Sequence, residues 1–435
     1  MSARRSAHHA FLEQHGVPAG WDAVRLRDLV HIVGGGTPDS AEPSYWNGAI
    51  PWLTPTEMTT FKGRFATTSE RRLTEAGVEN SNCRLLPVGS LVLSTRGTIG
   101  SVAIAGVPLT CNQSCEALLP KDGTDSEYLY YLLTYIRPLI ERFGAGTTFS
   151  SVTRRDIRDI RVAIPSPDSG EQRLIADILV LADDAIAIAG AKLTAARRLK
   201  TALMQQLFTR GIPRWHSRFK QTKIGEIPES WDLSQLRQLF RSSTNGLYVP
   251  DADYGSGTPI VRIDTFEDGD FYSRDFDRVR ISDREVDLFE IKVGDVLFNR
   301  VNSIPFVGKV VFVDGLVERT VFESNMMRLR FDDADLAHYV SLALCEPSTK
   351  RRIWSMARPA IGQLSINQRE LGQFFIPLPQ ENERKEIVTL ISTAKKNITA
   401  CEAELRAIEK LKRSLMQNLL TGRVRVRLEC HATAD

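Results

Sequence analysis

The chain lacks most of the features that mark a function class outright. No run of 18 apolar residues occurs. The nearest, residues 174–191, is broken by Asp177, Asp183 and Asp184, so no membrane association is expected. The start, Met1–Ser6, is basic but is followed by no apolar stretch, so no secretory signal is expected. Six cysteines in 435 residues make no disulfide framework. Cys111 and Cys115 form a close pair that no second pair matches, which argues against a zinc site. The cysteines are expected to be reduced, mostly buried and cytoplasmic. An excess of one charge is missing too. Lys and Arg number 56 against 53 Asp and Glu, a net charge of +3. A strongly basic chain would point to nucleic acid by itself. Here any such contact must come from local surface or from a basic partner.

Catalytic signatures are also scarce. There is no GxxxxGK[ST] phosphate loop and no GxSxG elbow. No Pro-Pro pair exists, so the Asp/Asn-Pro-Pro-Tyr/Phe tetrapeptide of adenine methyl transfer is absent. Glu290–Ile291–Lys292 could end a nuclease site, but no upstream acid sits at useful spacing, and a solvated surface is the simpler reading. No two histidines have helical metal-ligand spacing, and His8 and His9 fall in a stretch expected to be a mobile tail. Gly34–Gly35–Gly36 could present N–H groups to a phosphate or simply turn between strands. Neither a catalytic residue nor a metal ligand is assigned.

What is present is a soluble globular composition, 42% hydrophobic and 25% charged, with a length that suggests two or three domains. The chain also repeats itself. Pro18–Ala19–Gly20–Trp21–Asp22 returns as Pro228–Glu229–Ser230–Trp231–Asp232, 210 residues on. Ile164–Pro165–Ser166–Pro167 returns as Ile376–Pro377–Leu378–Pro379, and Leu203–Met204–Gln205–Gln206 as Leu415–Met416–Gln417–Asn418, both 212 residues on. Markers at the start, middle and end of each half define a tandem duplication: a globular unit, a helix, then both again.

The helices are the clearest element. Ile175, Leu179, Ala182, Ile186, Ala189, Leu193, Ala196, Leu203 and Leu207 alternate steps of four and three, with Lys200 in the gap. Ile387, Ile391, Ala394, Ile398, Cys401, Leu405, Ile408, Leu415 and Leu419 repeat the pattern, with Lys412 in the same gap. A 3.5-residue period held this long predicts a coiled-coil seam. The shared phase favours pairing of the two helices with each other over packing on separate cores. The prolines block entry from the preceding strands, and Gly211 and Gly422 close the ends.

The globular units read as mixed α/β. Residues 90–94 and 295–299 look like buried strands, each after a turn glycine. Residues 128–142 and 336–353 carry helical spacing. Expected boundaries are 17–165 and 220–378 for the globular units, and 171–210 and 383–422 for the spacer helices. Outside the helices the units share little, and the Gly-rich stretch has no evident counterpart near Thr244–Asn245–Gly246. Trp46 and Trp52 are expected in the core. Arg96 and Arg300 follow corresponding strands, where a guanidinium could grip guanine and a nearby amide adenine.

Taken together the motifs resemble the specificity subunit of type I restriction–modification systems, over residues 17–423. The first unit contributes Trp21, Gly35–Gly36–Thr37–Pro38, Tyr45–Trp46, Ile50–Pro51–Trp52–Leu53, Arg96–Gly97–Thr98–Ile99–Gly100 and Asn112–Gln113. Both halves contribute the Pro-rich entry, Glu171–Gln172–Arg173 or Glu383–Arg384–Lys385, and the Leu-Met-Gln ending. The second unit lacks the Gly-Gly-Thr-Pro and Tyr-Trp elements.

The resemblance implies an α/β protein with two target-recognition domains, each reading half of a bipartite double-stranded DNA site. Two long helices would pack as an antiparallel coiled coil and dock two modification subunits. Those partners would carry S-adenosylmethionine and methylate adenine at N6. A restriction (endonuclease/translocase) subunit, where present, would bring ATP and Mg chemistry. No cofactor would bind this chain directly, and it would not itself be an enzyme.

Candidate DNA contacts are Gly36, Thr37, Tyr45, Thr95, Arg96, Asn112, Gln113 and Thr148 in the first unit. In the second they are Asn245, Tyr248, Asn299, Arg300, Asn302 and Asn325. Candidate helix-interface residues are Ile175, Leu179, Ile186, Leu193, Leu203, Leu207, Ile387, Ile391, Ile398, Leu405, Leu415 and Leu419. The competing readings are the recognition subunit of a related bipartite methyltransferase or nuclease, a nuclease with an unrecognised site, and a coiled-coil scaffold that binds no DNA.

Overall fold

The computed structural model describes residues 2–61, 63–144, 151–316, 318–360 and 362–426. Contacts divide the chain into two units, residues 1–190 with 403–435, and residues 191–402. Each unit therefore takes one globular part and one half of each long helix, Glu171–Thr209 and Glu381–Leu419.

In the first unit a five-stranded sheet runs in the order Val30–Gly34, Cys115–Pro120, Leu91–Ser94, Val102–Ala105, Phe65–Ala66. It is antiparallel except for the last pair. A smaller sheet joins Arg72–Leu73, Trp46–Leu53 and Thr110–Cys111. In the second unit a four-stranded antiparallel sheet runs Ser242–Asn245, Met326–Arg330, Val296–Asn299, Val310–Phe312. Its companion joins Asp277–Val279, Tyr254–Val261 and Val321–Phe322. The two companions share even their irregularity. Pairing slips between Trp46 and Ile50 in one, and between Tyr254 and Thr258 in the other.

The duplication thus extends through the strands that seemed unrelated. Each stretch with helical spacing is a pair of helices, Ser126–Tyr135 with Arg137–Gly144, and Ala334–Cys345 with Pro347–Met356. The N-terminal residues, expected as a mobile tail, instead form a helix, Ser2–His15. Phe11 is buried in the core, and His8 stacks on Phe143 at 4.8 Å.

Within the first unit the long helices run antiparallel: Asp183 meets Lys412, and the earlier Glu171 meets the later Arg425. Ile175 and Leu179 share a core with Leu415 and Leu419. In the second unit Arg197 meets Glu402 at 2.8 Å, and Leu203 and Leu207 share a core with Ile387 and Ile391. The remaining seam candidates, Ile186, Leu193, Ile398 and Leu405, are buried or half-buried.

Each helix is anchored at its first turn by a buried carboxylate. Glu171, 2% exposed, accepts from Trp21 Nε1 at 3.1 Å, from Arg425 Nη2 at 2.7 Å and Nε at 2.8 Å, and from Val426 N at 3.1 Å. Glu383, 3% exposed, accepts from Trp231 Nε1 at 2.8 Å and Ile212 N at 3.2 Å, with His216 Nε2 2.7 Å away. The Arg425 bonds hold the Glu171 carboxyl below its ordinary value against the opposing pull of burial. The chain leaves each helix through a left-handed glycine, Gly211 (φ 71°) or Gly422 (φ 66°), to reach these anchors.

Removing Arg425 leaves a buried carboxylate without its cation. Arg425→Ala should destabilise the first unit by about 2–3 kcal/mol, less than a fully buried pair because Arg425 is partly exposed. Because the folded pKa of Glu171 is depressed, its stabilisation is present above the ordinary carboxylate pKa. It is lost as pH falls through the folded value. Wild-type stability, followed by thermal unfolding, should therefore drop more steeply on acidification than that of Arg425→Ala.

Candidate nucleic-acid interface

In each unit one end of the main sheet gathers three loops. In the first these follow Val30–Gly34, precede Cys115–Pro120 and follow Leu91–Ser94, because Gly34 pairs with Glu116 and Ser94 with Cys115. In the second they follow Ser242–Asn245, precede Met326–Arg330 and follow Val296–Asn299, because Asn245 pairs with Met327 and Asn299 with Met326. These ends collect most of the candidate contacts.

The first loop is a backbone crossing. Gly35 N donates to Cys115 O at 3.1 Å and Gly36 N to Cys111 O at 2.9 Å. Gly246 N donates to Met326 O at 3.0 Å and Leu247 N to Phe322 O at 2.9 Å. A Cβ on Gly35 would lie 1.9 Å from Asn112 O, and one on Gly246 2.2 Å from Glu323 O. Gly246 is therefore the counterpart of Gly35, which the sequence comparison missed. Trp52 Nε1 donates to Gly36 O at 2.9 Å and stacks edge-on against Trp46, 5.3 Å away. Both tryptophans are core residues, as expected, and they brace this loop.

The loop after the second strand is also built alike. Thr95 N donates to Ser114 O and Arg300 N to Asn325 O, both at 2.8 Å. Val152 N donates to Thr95 O and Ile366 N to Arg300 O, both at 2.9 Å. Thr95, not Arg96, is thus the counterpart of Arg300, so the two arginines stand one residue out of step. Arg96 is exposed, and no hydrogen bond or ion pair engages its guanidinium among the described residues. The half-buried Arg300 donates from Nη1 to Ser324 O at 3.2 Å.

The other candidates sort by exposure. Thr37 is exposed and donates to the exposed Gln113. Half-buried Asn112 spends its Oδ1 on Ser114 N at 3.0 Å. Tyr45 is half-buried against the tryptophan pair. Asn245 is exposed and accepts from Gln368 Nε2 at 3.2 Å, and Tyr248 is 78% exposed. Half-buried Asn302 accepts from Ser303 N at 2.8 Å, and Asn325 is half-buried with its carbonyl engaged. Three side chains or backbones are inside the fold: Gly36, Thr95 with Oγ1 donating to Ser114 O at 3.0 Å, and Asn299 with Nδ2 donating to Phe306 O at 3.2 Å. As placed, none of these three presents a group to solvent. Thr148 lies outside the described residues.

Sequence reasoning passed over a polar cleft of about 480 Å³ beside Gly34 and Gly35, lined by Asn82, Arg84 and Arg154. Arg154 is paired with Glu116 at 2.9 Å, while Asn82 and Arg84 are exposed. These residues lie between recognisable elements, and the packing of Gly36 on Asn82 and of Gly34 on Arg154 links them to the site.

Burial pushes the Cys111 and Cys345 thiols up to about 12, and Cys115 higher still. Glu290 is held below its ordinary range by its hydrogen bond to Arg319 at 2.8 Å, and Lys292 is exposed. Among the described residues no cluster of three or more His, Cys, Asp or Glu could hold a metal, and no helix is long and apolar enough to cross a membrane.

The two units are thus built alike around different polar tips. Residues 18–196 match the family model described as the type I restriction modification DNA specificity domain. It is 26% identical over 428 residues to the type I restriction enzyme MjaIX specificity subunit of Methanocaldococcus jannaschii, covering 94% of this chain and 95% of that one. The type I restriction–modification S subunit from M. genitalium matches 92% of this chain and 96% of its own, at TM-score 0.52 and 14% identity. A chain from a structure of type I assembly and conformational transition matches 94% and 99%, at TM-score 0.61 and 17% identity. At such identities the structural likeness speaks for the fold.

The glycine crossings give a direct test of the equivalence. Gly35→Ala and Gly246→Ala should each destabilise their own unit by about 1–3 kcal/mol through overpacking against a carbonyl. Amide hydrogen exchange should show faster opening in the mutated unit and an unchanged rate in the other.

Proposed function

We propose that this chain is the non-catalytic DNA-reading and assembly subunit of a cytoplasmic type I restriction–modification complex. The observation that carries the reading is the pair of equivalent sheet ends, alike in backbone and different in side chains. Each end would read one half of a bipartite double-stranded site. Arg96, Gln113 and Thr37 supply donors and acceptors on the first, and Asn245, Tyr248 and Arg300 on the second. Positioning contacts to phosphate would come from exposed polar groups such as Arg84.

Two modification subunits would dock on the long helices and supply S-adenosylmethionine and the N6-adenine chemistry. A restriction subunit, where the host has one, would bring ATP and Mg. Support for docking comes from apolar side chains on the outer faces of the first helix. Leu181 is 68% and Ile188 69% exposed, more than a coiled coil facing only water would favour.

The chain purified alone should show no methyl transfer, cleavage or ATP hydrolysis. Co-expressed with its modification subunit, it should direct S-adenosylmethionine-dependent methylation to one split sequence, read by methylation mapping. Robust methylation by the chain alone would overturn the reading.

In the assembled complex, Arg96→Ala should weaken recognition at the half-site read by the first unit and spare the other. If Arg96 grips a base, the loss is about 1–3 kcal/mol and falls on one base pair; if it grips phosphate, all sequences weaken alike. Binding measured across a panel of single-base variants separates the two.

A further inference from the structure

The loop after Val296–Asn299 differs from its counterpart by an insertion. In the first unit Gly100 N donates to Ser94 O at 2.9 Å, and in the second Gly308 N donates to Asn299 O at 2.8 Å. Between these matched bonds the second unit carries three more residues. The counterpart loop ends on Ile99, which is buried. The longer loop buries Val307 in that place and leaves an apolar tip outside: Ile304 is 53% exposed, Phe306 44%, and Pro305 is exposed.

The stem beneath the tip is firmly held. Asn299 Nδ2 donates to Phe306 O at 3.2 Å. Phe306 N and Val307 N donate to Ser303 O at 2.8 and 2.9 Å. Trp354 Nε1 donates to Val307 O at 3.0 Å. Val301 and Asn302 pair with Ser365 and Leu364. An apolar tip on a rigid stem is costly to leave in water, which points to an occupant in the working protein.

We propose that Ile304–Pro305–Phe306 is a wedge that enters a base step of duplex DNA and partly unstacks it, adding shape readout to the half-site of the second unit. The inference rests on the DNA-reading function above. Three features select a base step over a protein surface. The tip is one loop wide, whereas protein docking surfaces are broad apolar patches. It rises at the sheet end that carries Asn245, Arg300 and Asn302, groups suited to DNA edges and phosphates. Its residue types are those that pry apart stacked bases, and its fixed stem avoids an ordering cost on insertion.

The test uses the full chain assembled with its modification subunits. 2-Aminopurine is placed at successive steps of the second half-site, away from the methylated adenine. The wild-type complex should raise its fluorescence at one step, and Phe306→Ala and Ile304→Ala should abolish the rise. Affinity should fall at least about tenfold, the scale of one buried apolar side chain. Phe306→Leu, which keeps an apolar tip, should retain most of both, and the half-site of the first unit should be read unchanged throughout.

A flat signal in a sequence-selective wild-type complex would overturn the wedge alone, as would a rise that survives both alanine variants. Loss of co-purifying modification subunits with unstacking intact would reassign the tip to a protein contact. A wild-type complex with no sequence preference would overturn the proposed function and the wedge with it.

Discussion

Glu171 and Glu383 each sit in the first turn of a long helix, and each is almost wholly withdrawn from water. A carboxylate in that position is tolerable only if donors surround it. The donors come from far away in sequence: the indole at the start of the same globular part, and the chain that has just left the other helix. One desolvated charge therefore fixes three things in each unit: where the domain begins, where its own helix starts, and where the second helix ends. Gly422 would clash with Pro18, and Gly211 with His216 and Glu383, if either carried a Cβ. The repeated Trp, Glu and Gly markers are the sequence trace of that constraint.

The two anchors differ in their partners, Arg425 in one and His216 in the other, and a second pair of fastenings differs more. Asp183 and Lys395 stand 212 residues apart, at matching points of the two helices, with opposite charge. Asp183 faces Arg64 Nη1 at 3.7 Å, and Lys395 faces Asp270 at 2.7 Å and Gly269 O at 2.9 Å. The two pairs are thus of opposite polarity. Like charges brought together would repel, so pairs of opposite polarity favour the correct pairing of each segment with its helix.

The helices were legible because a 3.5-residue period survives any surface change. The strands ending at Ser94 and Asn299 were legible because buried apolar runs after turn glycines have few other uses. The counterpart of Gly35 was not. The offset between halves drifts from 210 at the tryptophans to 211 at Gly246 and 205 at the strands, then returns to 212 in the helices. Insertions hide a register that only the matching hydrogen bonds restore. The burial of Thr95 and Asn299 was hidden for another reason. Strand alternation ends at the strand exit, so a polar residue there reads the same whether it faces solvent or clamps a loop. Among the residues of the N-terminal helix whose burial is described, Phe11 alone is deeply buried, too little for a periodic signal.

That same loop clamp explains how one scaffold can support two different surfaces. Ser94 Oγ donates to Thr98 O, and Asn299 Nδ2 to Phe306 O, so a short hydroxyl holds the short loop and a longer amide the long one. The clamp gives Ser94 Oγ and Asn299 Nδ2 a partner and fixes where the loop returns to the sheet at Gly100 or Gly308, while leaving the residues between free to change. The backbone bonds at Thr95 and Arg300 do the same without reference to side-chain identity. Stability is carried by groups turned inward and by the main chain, and whatever the tips contact is met by residues the fold does not need. Divergence between the two ends is therefore cheap in folding terms, and the three added residues at the tip of one loop are an instance of it.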